Sequence, residues 1–142
     1  RFMHELSGPG WQPVYLHLTH LPAAGMLKLL VSKLDEVPRR GKDRLFEQIL
    51  AKARQAEGTL LIIFDEAHLL NLDALTDIRL LISSAIDDAP PLKVILVGQE
   101  PLRQTLRQSS QAALLNRIGV RRHLPSLTKV QTSHKKCNRP TR

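Results

Sequence analysis

A single cysteine, Cys137, rules out an internal disulfide and a cysteine-rich zinc site, and it fits a reducing, cytoplasmic setting. Aromatic residues are scarce: Trp11, Tyr15 and three phenylalanines are too few for a base-stacking RNA surface. No apolar run approaches the roughly 18 residues that a membrane-spanning helix needs. The opening "RFMHELSG" lacks the apolar stretch of a signal peptide. Acids are missing altogether from residues 101–142, which hold ten Lys and Arg, whereas residues 60–100 hold seven acids against two bases. A third of the chain with that charge can face phosphates of nucleotide or nucleic acid, or can be plain solvated surface; charge alone does not choose. From residue 128 onward, "TKVQTSHKKCNRPTR" has neither periodicity nor acids, so residues 128–142 are expected to form a basic, disordered tail.

What is present is enough for one domain: 142 residues, 42% hydrophobic and 24% charged. "PVYLHL" (residues 13–18) predicts a short strand. "GMLKLLVSKLDEV" places Leu27, Leu30, Val31 and Leu34 at helical spacing, and "DRLFEQILAKARQAEG" repeats the pattern through Leu45, Ile49, Leu50 and Ala53, with Gly58 as its stop. "LLIIF" (residues 60–64) is a continuous apolar run of strand length, the signature of a strand covered on both faces. "NLDALTDIRLLISSAID" predicts a third helix, with Asp73 as N-cap and Asp77 near the positive helix end. "LKVILVG" (residues 92–98) reads as a second buried strand. "PLRQTLRQ" and "SQAALLNRI" read as short helices, and "VRRHL" (residues 120–124) as a last strand. Strands alternating with helices predict an α/β fold with a parallel sheet, whose ligands bind at the carboxyl ends of the strands.

Asp65 and Glu66 follow directly on the "LLIIF" strand. An apolar strand that ends in two carboxylates is the Walker B pattern of nucleotide hydrolases. The strand fixes Asp65 where it can hold Mg²⁺, directly or through water, since Mg²⁺ takes a few carboxylates and keeps several waters. Glu66, one residue on, is placed to orient and deprotonate an attacking water. Gln99 follows the next apolar strand and is expected on the same sheet edge. Residues 65–68 also spell DEAH, a box found in superfamily 2 helicases, but those carry Ser-Ala-Thr after the next strand, where this chain has Val97-Gly98-Gln99. His68 is read as a packing or hydrogen-bonding residue. His17 and His20 have no cysteine or carboxylate nearby in sequence and are not read as a metal site.

The run of residues 60–127, with "DEAHLL", "DIRLLIS", "LVGQEPLR" and "LNRIGVRRHL", resembles the AAA+ P-loop ATPases of the general secretion pathway protein A (ExeA-like) type. The resemblance extends over nearly all of residues 11–127, and many members of this type are found in transposable elements. It implies a partial AAA+ core over residues 1–127 and a protein that binds and hydrolyses ATP with Mg²⁺. Asp65 would hold Mg²⁺–ATP and Glu66 would activate water. Gln99 would be the sensor residue between the acid and the γ-phosphate, and Arg117 an arginine finger. It further implies a homo-oligomer whose nucleotide state is coupled to DNA, a transposase or a secretion component. The alternatives are a non-catalytic module that binds DNA or a partner, and a truncated pseudogene product.

One expected part is absent from the sequence. No G-x-x-x-x-G-K-[ST] loop occurs: Gly41-Lys42 is followed by Asp43 and has Glu36 where the first glycine belongs. By the resemblance, "RFMHELSGPG" corresponds to the end of the helix after that loop, so the chain is expected to begin just past it and to lack the family's helical lid. The strand before the loop would lie between "KVILV" and "VRRHL". Both are therefore expected to lose ladder partners, and the last strand to detach.

Overall fold

The computed structural model describes residues 10–84 and 92–124. Three strands, β1 (Trp11–His17), β2 (Thr59–Asp65) and β3 (Leu92–Leu96), form a parallel sheet in the order β1-β2-β3. Helices α1 (Ala23–Lys33) and α2 (Lys42–Gln55) connect β1 to β2, and α3 (Leu72–Ser84) lies between β2 and β3. Helices α4 (Glu100–Leu106) and α5 (Ala112–Leu115) follow, with single 3₁₀ turns at Ala67–Leu69 and Ser109–Gln111. The sequence-based α/β, parallel, P-loop-like class is therefore what the chain folds into, as a three-stranded sheet flanked by helices.

The central strand explains the sheet. Leu60, Leu61, Ile62, Ile63 and Phe64 are all buried, so the run is covered on both faces as expected of a parallel strand. Its partner β1 pairs residue for residue from Trp11↔Thr59 to His17↔Asp65, which extends the strand two residues before the expected start at Pro13. Apolar residues of α1 (Met26, Leu27, Leu30, Val31), α2 (Leu45, Ile49, Ala53) and α3 (Ala74, Leu75, Ile78, Leu81) close the same core. Fully burying one such Leu, Ile or Phe side chain contributes roughly 1.5–3 kcal/mol.

Helix ends depart from the sequence reading for local reasons. Helix α1 ends at Lys33 because Asp35 takes φ 59°, letting the Glu36 amide reach back to the Val31 carbonyl (3.2 Å), a Schellman-type stop. Gly58 is not a helix stop. It lies against Gly10, where a Cβ would come within 2.6 Å of backbone, and the neighbouring Thr59 amide donates to the Gly10 carbonyl at 2.8 Å. The N-cap of α3 is Asn71, whose Oδ1 accepts from the Ala74 amide at 2.8 Å; Asp73 sits in the first turn instead. Asp77 is not a dipole partner at the helix end. Its carboxylate is buried and paired with Lys42, with Nζ 3.0 Å from Oδ1 and 2.8 Å from Oδ2. That pairing accounts for Lys42 in the "RRGKD" stretch, the chain's nearest approach to a phosphate-loop lysine.

Two strand readings on the far side of the sheet are corrected, both in the direction that the expected loss of ladder partners implied. "LKVILVG" is not a fully buried strand: only Leu92 is buried, while Val94, Ile95 and Leu96 are partly exposed and Lys93 is exposed. No strand pairs with the outer edge of β3 among the described residues. Residues 120–124 form no strand, and Val120 and Leu124 are 75% and 85% exposed. A single extended segment with no ladder neighbour leaves its backbone to water and has nothing to hold it in register. Residues 128–142, read from sequence as a tail, lie outside the described residues, as does the part of the predicted third helix beyond residue 84.

Candidate functional site

The carboxyl edge of the sheet collects the polar residues. Asp65 is the last residue of β2, and its carboxylate is held on two sides. Oδ2 accepts a hydrogen bond from the Tyr15 hydroxyl on β1, and Oδ1 accepts from the Glu66 amide at 2.9 Å. His17, paired in register with Asp65, brings Nδ1 to 3.8 Å of Oδ2. Tyr15 and His17 lie two apart on the strand and so share one face beside Asp65. Sequence reading weighed His17 only as a metal ligand, which it rejected, and gave Tyr15 no role at the site. The signal was their period-2 spacing in a strand parallel to the one that ends in Asp65, but it becomes informative only once the register is known.

The same contacts set the charge states. The Tyr15 hydrogen bond holds the Asp65 carboxyl below the usual carboxylate range; burial opposes this, and the Glu66 amide and His17 assist. The Tyr15 phenol is pushed above its usual range, first by its bond to Asp65, then by burial and by the negative charges of Asp65 and Glu66. A depressed carboxyl contributes stability that is present above its unfolded value of about 3.9 and is lost as pH falls through the folded value. A raised phenol contributes below about pH 10, and this is lost as pH rises through its folded value. Tyr15→Phe is therefore expected to move the Asp65 carboxyl up toward its ordinary range. A carboxyl-carbon NMR titration of Asp65 checks this, and an unmoved titration curve would show that the hydroxyl does not hold the carboxylate.

Glu66 adopts φ 57°, ψ 34°, left-handed backbone that costs a non-glycine residue about 1 kcal/mol or more. The conformation turns the chain from strand into the 3₁₀ turn. The turn is then pinned, since the Ala67 amide donates to the Val97 carbonyl at 2.8 Å and the Val97 amide donates to the Phe64 carbonyl at 2.8 Å. Gly98 allows this approach, because a Cβ there would lie 3.0 Å from the His68 backbone nitrogen and 3.0 Å from a Leu102 methyl. His68 thereby reaches both neighbours: its Nδ1 lies 3.3 Å from Glu66 Oε2 and 3.5 Å from the Gln99 amide nitrogen. Gln99 is the N-cap residue just before α4, is exposed, and makes no side-chain capping bond.

Asp65, Glu66 and Gln99 are thus on one edge, as the sequence implied. Arg117 is elsewhere. It is exposed beyond the end of α5, with Nη1 donating to the Ala113 carbonyl at 3.2 Å, and no hydrogen bond or ion pair among the described residues joins it to the other three. Among the described residues no group of three or more His, Cys, Asp and Glu is placed to hold a metal ion. An all-protein metal cage is not required for Mg²⁺, which uses one or two carboxylates with substrate phosphates. An ionised Asp65 whose oxygens retain free lone pairs fits that role. Among the described residues no helix is long and apolar enough to cross a membrane.

Comparison with known proteins gives these residues a family. Residues 13–106 match the AAA domain family. General secretion pathway protein A of Aeromonas hydrophila is 33% identical over 86 residues, a stretch that covers 61% of this chain and 16% of that protein. The match thus spans about one sixth of the relative's length. With a parallel sheet whose central strand ends in Asp65 and Glu66, and with most of its residues matched, the chain belongs to the AAA domain family of nucleotide-binding ATPases.

Proposed function

We propose that this chain supplies the metal-binding and water-activating half of an ATP-hydrolysing site. The observation that carries the proposal is that Asp65 ends the central strand with its carboxylate on the Glu66 amide, while Glu66 and the Gln99 backbone amide meet at one ring nitrogen of His68, at the carboxyl edge of a sheet in an AAA domain. Asp65 holds Mg²⁺, which offsets charge on the phosphates. Glu66 holds and deprotonates the water, and Gln99 orients it against the terminal phosphate. Residues 1–127 constitute the AAA+ core contribution and residues 128–142 a basic extension. Residues 1–142 contain no G-x-x-x-x-G-K-[ST] loop, and two carboxylates by themselves repel a polyanion. The 142-residue chain alone is therefore expected to leave ATP intact. The test is phosphate release by the longest native polypeptide that contains the chain, with Glu66→Gln as control. Turnover by the 142 residues alone that vanishes in that control would overturn the division of labour.

The nucleotide state is coupled, in this reading, to DNA or to a protein partner of a transposition or secretion machine in the cytoplasm, through a homo-oligomer. The support is the acid-free stretch of residues 101–142 with its ten Lys and Arg, together with the relative from a secretion pathway. If DNA is the partner, binding should be independent of sequence and fall steeply with salt as counterions are released. Fluorescence anisotropy on duplex DNA between 50 and 200 mM salt, roughly the range over which such contacts weaken, checks this. A flat salt response would leave the basic stretch as solvated surface. A non-catalytic binding module is the second reading. Absence of a G-x-x-x-x-G-K-[ST] loop from the longest native polypeptide would favour it, and turnover by that polypeptide would exclude it.

A further inference from the structure

We propose that His68 is a positioning residue that connects Glu66 to the Gln99 loop through a single ring nitrogen, so that the two contacts are alternatives rather than partners. Nδ1 lies 3.5 Å from the Gln99 amide and 3.3 Å from Glu66 Oε2. The amide is a donor and needs a lone pair on Nδ1. The carboxylate is an acceptor and needs a proton there. A neutral imidazole carries one N–H and one lone-pair nitrogen, so Nδ1 serves one neighbour at a time. With the proton on Nε2 the ring holds Gln99 and presents a lone pair toward Glu66. With the proton on Nδ1 it holds Glu66 and releases the Gln99 amide. Exchange between the two needs only that Nδ1 take a proton from solvent and Nε2 give one to solvent, passing through a transient imidazolium with no net change in the ring's charge, and the side chain is 15% exposed.

The surrounding backbone holds this geometry in place. The Ala67–Val97 hydrogen bond and the bare Gly98 fix the 3₁₀ turn against the loop after β3, and left-handed Glu66 sets its own side chain beside the ring two residues on. Anything that draws the Gln99 amide away frees Nδ1 to carry its proton and hold the Glu66 carboxylate. By reciprocity, a change at Glu66 alters how firmly the Gln99 loop is held. The functional consequence, a water-activating carboxylate steadied or released according to the position of the Gln99 loop, rests on the ATPase reading above. The competition for Nδ1 does not.

The 142-residue chain tests the competition directly, by amide exchange at Gln99 and by long-range proton–nitrogen correlation of the His68 ring. Removing the carboxylate with Glu66→Ala should move His68 toward the Nε2–H tautomer and slow Gln99 amide exchange about fivefold or more, the lower end of ordinary coupling between sites. Glu66→Gly is the second variant, since glycine accepts the left-handed backbone without strain. An unchanged tautomer and equal exchange in the folded variants overturn the proposal. In the longest native polypeptide, His68→Leu should lower kcat for ATP about tenfold with little change in KM, the scale of losing a group that orients a site residue. His68→Asn, which can offer either a donor or an acceptor near the place of Nδ1, should recover most of it. Parent kcat in His68→Leu overturns the positioning role. Absence of turnover in the parent itself counts against the ATPase reading, and the exchange and tautomer data then decide the His68 linkage alone.

Discussion

Glu66→Gln is expected to slow ATP hydrolysis at least about a hundredfold in the longest native polypeptide containing this chain, while Mg²⁺–ATP binding stays close to parent affinity. The substitution keeps the size of the side chain and removes only its basicity. The turn that Glu66 forms depends on its φ of 57°, which glutamine adopts at similar cost, so the Ala67–Val97 and Val97–Phe64 bonds should survive. A hundredfold loss corresponds to about 2.7 kcal/mol of transition-state stabilisation, more than the loss of one neutral hydrogen bond accounts for. Asp65→Ala should differ in kind. It removes the carboxylate that Tyr15 and the Glu66 amide hold ionised, and should weaken Mg²⁺–nucleotide binding itself. Calorimetry of Mg²⁺–ATP binding beside single-turnover hydrolysis separates the two. Parent turnover in Glu66→Gln would reduce the pair to a solvated strand end.

The fold was legible where local pattern and burial coincide. "LLIIF" could hardly be anything but a strand covered on both faces, and all five residues are buried. The same logic failed at "LKVILVG". A continuous apolar run states that a strand can be covered, but coverage comes from neighbours, and β3 has a partner on one side only among the described residues. Residues 120–124, read as a last strand but also expected to detach for want of a ladder partner, form no strand. Gly58 was misread as a helix stop because a sequence does not show that Gly10 will pass within contact distance. Asp73 and Asn71 are both good N-caps by residue type, and a helix start two residues earlier decided for Asn71. At the site, Asp65, Glu66 and Gln99 were readable because each ends or follows an apolar strand. His68 was read as a packing or hydrogen-bonding residue, and it is hydrogen-bonded, but its partners and the role of Tyr15 were not readable, because they arise from the close approach at Gly98 and from the β1–β2 register, both tertiary facts.

Arg117→Ala should retain ATP binding and lose hydrolysis by up to roughly a thousandfold, if the residue acts as a finger on the phosphates of a neighbouring subunit. Among the described residues its position joins it by no hydrogen bond or ion pair to Asp65, Glu66 or Gln99. Arg117 is exposed past the end of α5, and among the described residues its guanidinium is held by one hydrogen bond, to the Ala113 carbonyl. Breaking that bond costs about 1 kcal/mol, far less than the roughly 4 kcal/mol that a thousandfold rate effect represents, so the side chain is free to be recruited. Asp65, Glu66 and Gln99 meet at the sheet edge without it. A residue acting across a boundary makes a distinctive prediction for mixtures. Arg117→Ala and Glu66→Gln subunits are each inactive alone, but a mixed assembly contains interfaces at which an intact Glu66 faces an intact Arg117. Phosphate release should therefore rise on mixing, to a fraction set by how many such interfaces form, and should be greatest near equal proportions. Two inactive variants that stay inactive in every mixture, together with normal hydrolysis by Arg117→Ala alone, would remove Arg117 from the site and leave its charge to the helix end and the surrounding basic surface.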